Sequence, residues 1–185
     1  MKSYLALIRR ADFIDFFKFG FFYLNSDKVV EFDCPISELP KIDNAIWHVG
    51  ATYELGDVAV SAMYLKGDLS YDKYPAAGAV IDKLLDDDGF VLGVSYKGAK
   101  ADVVGSWGLG VKYYDQGAQT YVAHTTDANT FGMTGFKGYG ITADYTLAKN
   151  IVASVAYYDT ESKLADKAGL DLDDQRIFTE VNFYF

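Results

Sequence analysis

The chain has 185 residues, enough for one domain, and it carries a formal net charge of -9 with a pI near 4.6. This acidic balance argues against nucleic-acid binding, which requires clustered lysine and arginine. Tyr and Phe are frequent, at 15 and 13 residues, yet the mean hydropathy is zero. Because no uncharged apolar run reaches roughly 18 residues, no membrane-spanning helix is predicted.

The start of the chain has a short apolar run, Tyr4–Ile8, after Met1 and Lys2. Arg9 and Arg10 interrupt this run, and no small-residue cleavage site follows. A signal peptide is therefore not predicted.

The next segment contains one possible strand. Residues 16–24 alternate in the manner of a strand, although both faces are apolar and a buried amphipathic segment would give the same pattern. Two prolines and many acidic residues predict a loop over 25–44. We therefore divide the chain into an irregular N-terminal segment, 1–44, and a series of β-hairpins, 45–185.

A hairpin unit recurs three times from Ala45 onward. In each first strand an aromatic residue is followed six positions later by tyrosine, and in each second strand an apolar residue precedes tyrosine by six. An even spacing keeps both residues on one face of a strand. With the C-terminal segment, the pattern predicts seven strands: 46–55, 58–66, 90–97, 101–114, 138–147, 151–160 and 176–185. An eighth strand at 16–24 would make the number even, as in bacterial single-chain barrels.

The two faces of these strands differ in character. One face is aliphatic between its aromatic residues, whereas the other is polar and rich in glycine. This pattern is typical of an antiparallel transmembrane β-barrel with lipid outside, aromatic girdles at both interfaces and a polar lumen. The six-residue spacing projects to about 15 Å, less than the roughly 25 Å apolar band of known barrels. Either the rings lie just inside the boundary, or flanking residues extend the band. The predicted membrane-interface aromatics are Trp47, Tyr53, Tyr64, Phe90, Tyr96, Trp107, Tyr113, Tyr139, Tyr145 and Tyr157.

The polar face supplies candidate pore-lining residues. They are Lys18, His48, Glu54, Lys97, Lys112, Asp144 and Glu180. Such residues can line a pore and set its ion preference. In a closed barrel of only eight strands they would instead form a salt-bridge network that fills the interior. The bulky residues predicted to narrow the lumen are Phe16, Phe22, Tyr114, Phe178 and Tyr184.

The connections between strands alternate in length. Short turns are predicted at 55–57, 97–100 and 148–150, and long links rich in Asp, Gly and Thr at 67–89, 115–137 and 161–175. Outer-membrane barrels have short periplasmic turns and longer external loops. Within the first long link, Ala76–Leu85 could form a short helix. Asp86–Asp88 could bind calcium or bridge lipopolysaccharide through a cation, although such a run is more often a solvated loop.

The last strand alternates without interruption to Phe185. Val181, Phe183 and Phe185 share its apolar face. This ending resembles the C-terminal signal that the barrel assembly machinery recognises in bacterial outer-membrane proteins. An edge strand of a soluble sandwich would show the same alternation.

The segments Ser95–Asp102, Gly105–Gln116 and Gly138–Asn150, together with Phe185, resemble the C-terminal barrel of porins from diderm Firmicutes, the family with an S-layer homology domain. The resemblance covers about residues 45–185. It implies an outer-membrane channel for passive diffusion of small hydrophilic solutes, embedded in outer-membrane lipid and assembled as a homotrimer. The family's barrels are larger than eight strands.

No catalytic motif stands out. His48 and His124 are the only histidines, and no spacing singles out a serine as their partner. We therefore predict that the chain is not an enzyme and holds no cofactor and no metal. The predicted function is porin-like diffusion across the outer membrane. Two alternatives stay open: a small closed barrel with a structural or adhesive surface role, and a soluble ligand-binding β-barrel.

Overall fold

Each strand pairs antiparallel with the next strand along the chain, so the sheet order is the chain order. A computed structural model describes residues 11–12, 17–28, 42–70, 85–121, 126–128, 131–132 and 134–185. They form β1 (Ala11–Asp12), β2 (Phe17–Lys28), β3 (Ile42–Leu55), β4 (Val58–Ser70), β5 (Asp88–Lys97), β6 (Trp107–Gln116), β7 (Phe136–Ala148), β8 (Ile151–Ser162), α1 (Lys163–Lys167) and β9 (Asp173–Phe183).

The predicted all-β antiparallel architecture is confirmed. The seven predicted strands correspond to β3 through β9, and the possible strand at 16–24 corresponds to β2. Over the described residues β9 pairs with β8 and with no other strand, so the sheet is not closed. Chain pairing nevertheless continues past β9, because the backbone N–H of Tyr184 donates to the carbonyl of Asn150.

One predicted strand begins later than its sequence pattern indicated. Residues 98–106 form a loop, and β6 starts only at Trp107, so the predicted start at residue 101 and the predicted four-residue turn are both wrong. The Ser106 hydroxyl accepts from the Lys100 N–H at 2.7 Å and donates to the Lys100 carbonyl at 3.0 Å, which closes the loop on itself. Gly105 permits this turn through its φ of 83°.

Other connections also differ from the prediction. The loop predicted over 25–44 is shorter, since β2 continues to Lys28 and β3 begins at Ile42. The third long link contains α1, whose N-cap Ser162 accepts a hydrogen bond from the N–H of Ala165. The helix considered at 76–85 lies almost entirely outside the described residues.

The sheet has one face that is mostly buried and one that is mostly exposed. On the first, which we call the inner face, Leu65, Val91, Phe136 and Tyr158 form an apolar cluster together with Tyr121 from the connection after β6. On the second, the outer face, alternate residues of β3 to β9 are exposed or partly exposed. We call the sheet end carrying 56–57, 98–106 and 149–150 the turn end, and the opposite end the connection end.

Candidate membrane-facing surface and inner face

The outer face carries a continuous band of exposed aliphatic side chains. Val60, Val94, Val111 and Ile141 pair in succession across β4 to β7, and each is between 43% and 52% exposed. Strand pairing places such residues side by side in the sheet. The band continues through Leu92, Leu109, Val155 and Val181. Soluble monomers rarely expose apolar patches beyond a few hundred Å².

An aromatic row borders this band at the connection end. Tyr64 pairs with Phe90, and Tyr113 pairs with Tyr139. The rings of Phe90 and Tyr113 lie 6.0 Å apart between centroids. We call this set the upper row: Trp47, Tyr64, Phe90, Tyr113, Tyr139 and Tyr157. It consists of six of the ten predicted interface aromatics.

A second row borders the band at the turn end. Trp107 pairs with Tyr145, and its ring lies 5.7 Å from that of Tyr96. With Tyr53, these residues make up the lower row and account for the other four predicted aromatics. The strand register therefore places ten aromatic residues, which are far apart in the sequence, in two rows on one face of the sheet.

Apolar residues beyond the lower row lengthen the band. Leu55, Val103, Val104 and Leu147 lie at the turn end and are all exposed. Val103 and Val104 belong to the 98–106 loop, of which the sequence pattern assigns 101–106 to a strand, and they line a cavity with inner-face residues of β3 to β5. Leu55, which continues the outer alternation of β3, and Leu147 extend the apolar surface past the aromatic rings on this side.

The candidate pore-lining residues do not form one group. His48, Glu54 and Asp144 are partly buried on the inner face. Lys112 is exposed on that face, and Glu180 is exposed near the sheet edge, where it accepts a hydrogen bond from Asn182 at 2.9 Å. The side chain of Lys18 lies outside the described residues.

Lys97 is placed differently from the other candidates. Its ammonium lies 4.9 Å from the centroid of the Trp107 ring and 5.4 Å from that of Tyr96. Both rings belong to the lower row of the outer face. The end of β5 thus directs this cation toward the aromatic boundary, which the alternation of the sequence did not indicate.

Large side chains fill the inner face near the connection end. Phe136 is completely buried, and its ring packs against those of Tyr114 and Tyr121 at 5.8 and 5.3 Å between centroids. Tyr158 lies against Gly140, where an added Cβ would come within 2.7 Å of its ring. Of the other bulky candidates, Phe178 and Tyr184 are exposed near the sheet edge, while the side chains of Phe16 and Phe22 lie outside the described residues.

The described residues of the connection between β6 and β7, namely 117–121, 126–128, 131–132 and 134–135, contribute to this cluster and bond to strands on both sides of it. The carbonyl of Gln119 accepts from Asn44 of β3 at 3.1 Å, and the carbonyl of Asp127 accepts from Arg176 of β9 at 3.0 Å. The buried Tyr121 donates its hydroxyl hydrogen to the Gly132 carbonyl at 2.8 Å and accepts from the Gly135 N–H. Burial raises the pKa of Tyr121 to about 12, so the hydroxyl stays protonated at neutral pH.

Ion pairs link the β4–β5 connection and the β8–β9 connection at the connection end of the sheet. Lys163 of α1 pairs with Asp86 at 2.9 Å and also with Asp115, while Lys167 pairs with the same Asp86. Burial alone would raise the pKa of Asp86, but the hydrogen bonds from Lys167 and Lys163 outweigh it and hold the pKa below its ordinary value. We call Asp86, Asp115, Lys163 and Lys167 the ion-pair cluster. Asp86, a candidate for cation binding, is thus neutralised by lysines.

Asp87, another acid of that run, pairs with Lys66 at 2.7 Å. Within the described parts of the chain, no group of three or more His, Cys, Asp or Glu side chains is arranged to hold a metal ion. No helix formed by the described residues is long and apolar enough to cross a membrane. His124, the second histidine, lies outside those residues.

Comparison with known proteins adds no relative. No model of a protein family matches the chain, and no curated protein matches it. The resemblance to porins therefore stays a prediction that rests on the sequence segments given above.

Sequence reasoning missed the packing of the 117–135 connection on the inner face. The signal available was the presence of Tyr121, Ala128 and Phe131 in a link otherwise rich in polar residues. Large apolar side chains in a long connection indicate burial against a neighbouring surface.

Proposed function

We propose that this chain is a porin-like wall segment of the outer membrane: an antiparallel β-barrel that contacts lipid with its outer face and serves the passive diffusion of small hydrophilic solutes and ions. The observation that carries the proposal is the exposed aliphatic band between the upper and lower aromatic rows. A membrane interior is the environment in which an apolar surface of this extent is stable, and aromatic rings favour its two boundaries.

Strand directions are compatible with closure of the sheet. Seven antiparallel pairings separate β2 from β9, so these two strands run in opposite directions and can pair antiparallel with each other. Closure would remove the unpaired edge of β9, which is a hazard for a β-protein. The two-residue β1 occupies part of the β2 edge and would have to move.

The 117–135 connection also favours a curved sheet. It bonds to β3 and to β9, which are six strands apart in the sheet order. In a flat sheet these strands would be about 29 Å apart at the usual spacing of neighbouring strands. A sheet that curves around the connection brings both strands within its reach.

The second candidate function is a small closed barrel with a structural or adhesive role. The packing of Tyr114, Phe136 and Tyr158 beneath the 117–135 connection favours it, because this arrangement obstructs passage along the inner face. Solute diffusion would then require additional strands or further copies of the chain, such as the trimer that the porin resemblance implies.

Tryptophan fluorescence can test the membrane assignment, because Trp47 lies in the upper row and Trp107 in the lower row. We would prepare Trp47→Phe and Trp107→Phe and refold each variant into phosphatidylcholine vesicles with brominated acyl chains. Bromine quenches a nearby indole, so lipid brominated close to the headgroup should quench both tryptophans more than lipid brominated near the chain end. The protein should also require detergent or lipid to remain monodisperse.

The opposite result would support the soluble alternative. A monodisperse preparation in plain buffer, with native sheet content and no quenching by brominated lipid, would refute the membrane proposal. Binding of a small apolar ligand under those conditions would identify a soluble ligand-binding barrel.

A further inference from the structure

Lys97 has an unusual backbone conformation at the end of β5. Its φ is 58°, a left-handed value that is uncommon for a residue with a side chain, and Gly98 follows it directly. The Lys97 N–H donates to the Asp57 carbonyl at 2.6 Å, which fixes this residue to the β3–β4 turn. Unfavourable conformations of this kind persist where the surrounding structure enforces them, and they are often found at functional sites.

The ammonium of Lys97 is held by aromatic rings rather than by an acid. It lies over Trp107 and Tyr96, and among the described residues it forms no ion pair with a carboxylate. Cation–π contacts orient an ammonium without neutralising its charge. The lysines described at the connection end differ, since Lys66, Lys137, Lys163 and Lys167 all pair with carboxylates.

Neighbouring turns bring further charged residues to the same end of the sheet as Lys97. Lys100 lies in the same loop, and its carbonyl accepts from the Thr146 hydroxyl at 3.0 Å. The N–H of Asn150 donates to the Ala101 carbonyl at 2.6 Å, which brings the β7–β8 turn with Lys149 against this loop. The acids at this end are Asp57, Asp102 and Glu54, and Glu54 lines the same cavity as Lys97 and Lys100, so acids and lysines are equal in number.

We propose that Lys97 binds the phosphate of an anionic phospholipid at the turn-end boundary of the aliphatic band, with the rings of Trp107 and Tyr96 beside the lipid glycerol. The inference rests on the membrane location proposed above. A lysine whose stem follows apolar surface and whose head reaches the interface fits this ligand. The compact ammonium is a strong point charge for a phosphate oxygen.

The test uses the Trp47→Phe chain, in which Trp107 is the only tryptophan and reports on lipid beside Lys97. The refolded protein is placed in phosphatidylcholine vesicles that contain a minor fraction of brominated phosphatidylglycerol, or the same fraction of brominated phosphatidylcholine. One basic residue near a membrane surface enriches anionic lipid about fivefold locally. We therefore expect Trp107 to be quenched more strongly by the brominated phosphatidylglycerol.

Three variants in the same background make the test specific. Lys97→Gln should abolish the difference between the two lipids, and Lys97→Gly should do the same while relieving the left-handed backbone. Lys66→Gln removes a lysine at the connection end and should leave the difference unchanged. Added salt should reduce the preference, because the ammonium is exposed.

The outcomes separate this inference from the membrane proposal. Equal quenching of Trp107 by the two brominated lipids would overturn the phosphate site and leave the membrane location standing. A preference that persists in both Lys97 variants would also overturn it. Absence of quenching by either lipid would refute the membrane location itself, and the lipid site with it.

Discussion

Glycines on the inner face make room for aromatic rings. Gly140 is the clearest case, since its Cα lies under Tyr158 and an added Cβ would come within 2.7 Å of the Tyr158 ring and 3.4 Å of the Tyr114 ring. At Gly140 the space is filled by tyrosine, so this glycine serves close packing.

Gly140→Ala should therefore destabilise the protein. The added methyl group must displace Tyr158, and overpacking of this kind costs about 1–3 kcal/mol. The measurement is the free energy of unfolding in detergent micelles, from denaturant titration followed by tryptophan fluorescence. Gly98→Ala is the matched control, because a Cβ there meets nothing within 4 Å. Equal stability of the two variants would show that Tyr158 does not pack against this strand.

At the scale of elements, α1 is fixed by charge. The helix has five residues and none of them is buried, so packing contributes little to its position. Lys163 and Lys167 instead attach it to Asp86 and Asp115, which belong to other parts of the chain. The ion-pair cluster thereby joins the β4–β5 connection, the end of β6 and the β8–β9 connection.

Lys163→Met should loosen α1 and lower stability by about 1–3 kcal/mol, because Asp115 and Asp86 lose a partly buried hydrogen-bonding partner. Lys66→Met should cost less than about 1 kcal/mol, since its pair with Asp87 is exposed. Denaturant unfolding and proteolysis of the connections would measure both effects. Similar losses of stability in the two variants would mean that the ion-pair cluster stabilises the protein no more than an exposed ion pair does.

The same ion pairs predict a pH dependence. The pKa of Asp86 lies below its ordinary 3.8 in the folded chain, so its contribution is present above that pH and is lost as the pH falls through the lowered value. Although burial opposes it, the hydrogen bonds that Lys163 donates to Asp115 and Asp86 hold the pKa of Lys163 above its ordinary 10.5, so this contribution disappears only as the pH rises beyond that value. At pH values below the first limit or above the second, α1 should loosen and its proteolysis should become faster. In the Lys163→Met variant the rate of proteolysis should depend less on pH.

The last strand, β9, has a different role among the elements. Its outer face carries Ile177, Val181 and Phe183, all exposed, and Phe185 continues the alternation. A terminal ring contributes only a modest share of burial energy. Its importance is therefore expected in recognition by the barrel assembly machinery.

Phe185→Asp should strongly reduce the amount of protein in the outer membrane of cells, while protein refolded in detergent should lose little stability. Quantitative immunoblotting of membrane fractions and denaturant unfolding would measure the two effects. Leu170→Asp, which places the same charge at an exposed loop position, is the control. Normal outer-membrane levels of Phe185→Asp would show that the residue is an ordinary strand end.

At the scale of the whole molecule, both ends of the inner face are covered by connections. The 98–106 loop lies over the turn end, where Gly98 approaches Gly108, and the 117–135 connection lies over the opposite end. Eight strands enclose an interior that side chains can fill. Among the described residues, side chains fill the inner face at the connection end, whereas a cavity of about 890 Å³ lined by Glu54, Ser95 and Lys100 lies at the turn end.

We therefore expect the 185-residue chain to conduct ions poorly or not at all. Planar-bilayer recordings on purified, refolded protein would measure this directly. Stable current steps of the size of general porins would contradict the expectation and would indicate that several copies combine into a wider pore. Chemical cross-linking in the same lipid would then give the number of copies.

Much of the fold could be predicted because the alternation of neighbouring residues in the sequence indicates a strand. Alternation with period two marks the strands from β3 to β9, and the even six-residue spacing indicates that paired residues such as Tyr139 and Tyr145 share one face. The role of these aromatics at a membrane interface stays a prediction. Adjacent strands along the chain are neighbours in the sheet, so each register depends on a short connection and two nearby patterns.

Tertiary structure alone decided how the connections fold and which side chains they bring together. Asp86 and Lys163 are 77 positions apart, and Asn44 and Gln119 are 75 apart, so no local period relates them. The alternation of residues 101–106 predicts a strand, but hydrogen bonds of Ser106 and Thr146 with Lys100 hold them in a loop. Lys97 reaches the lower row through a single left-handed φ. Such contacts depend on the curvature and register of the whole sheet, which emerge only when all its strands are paired.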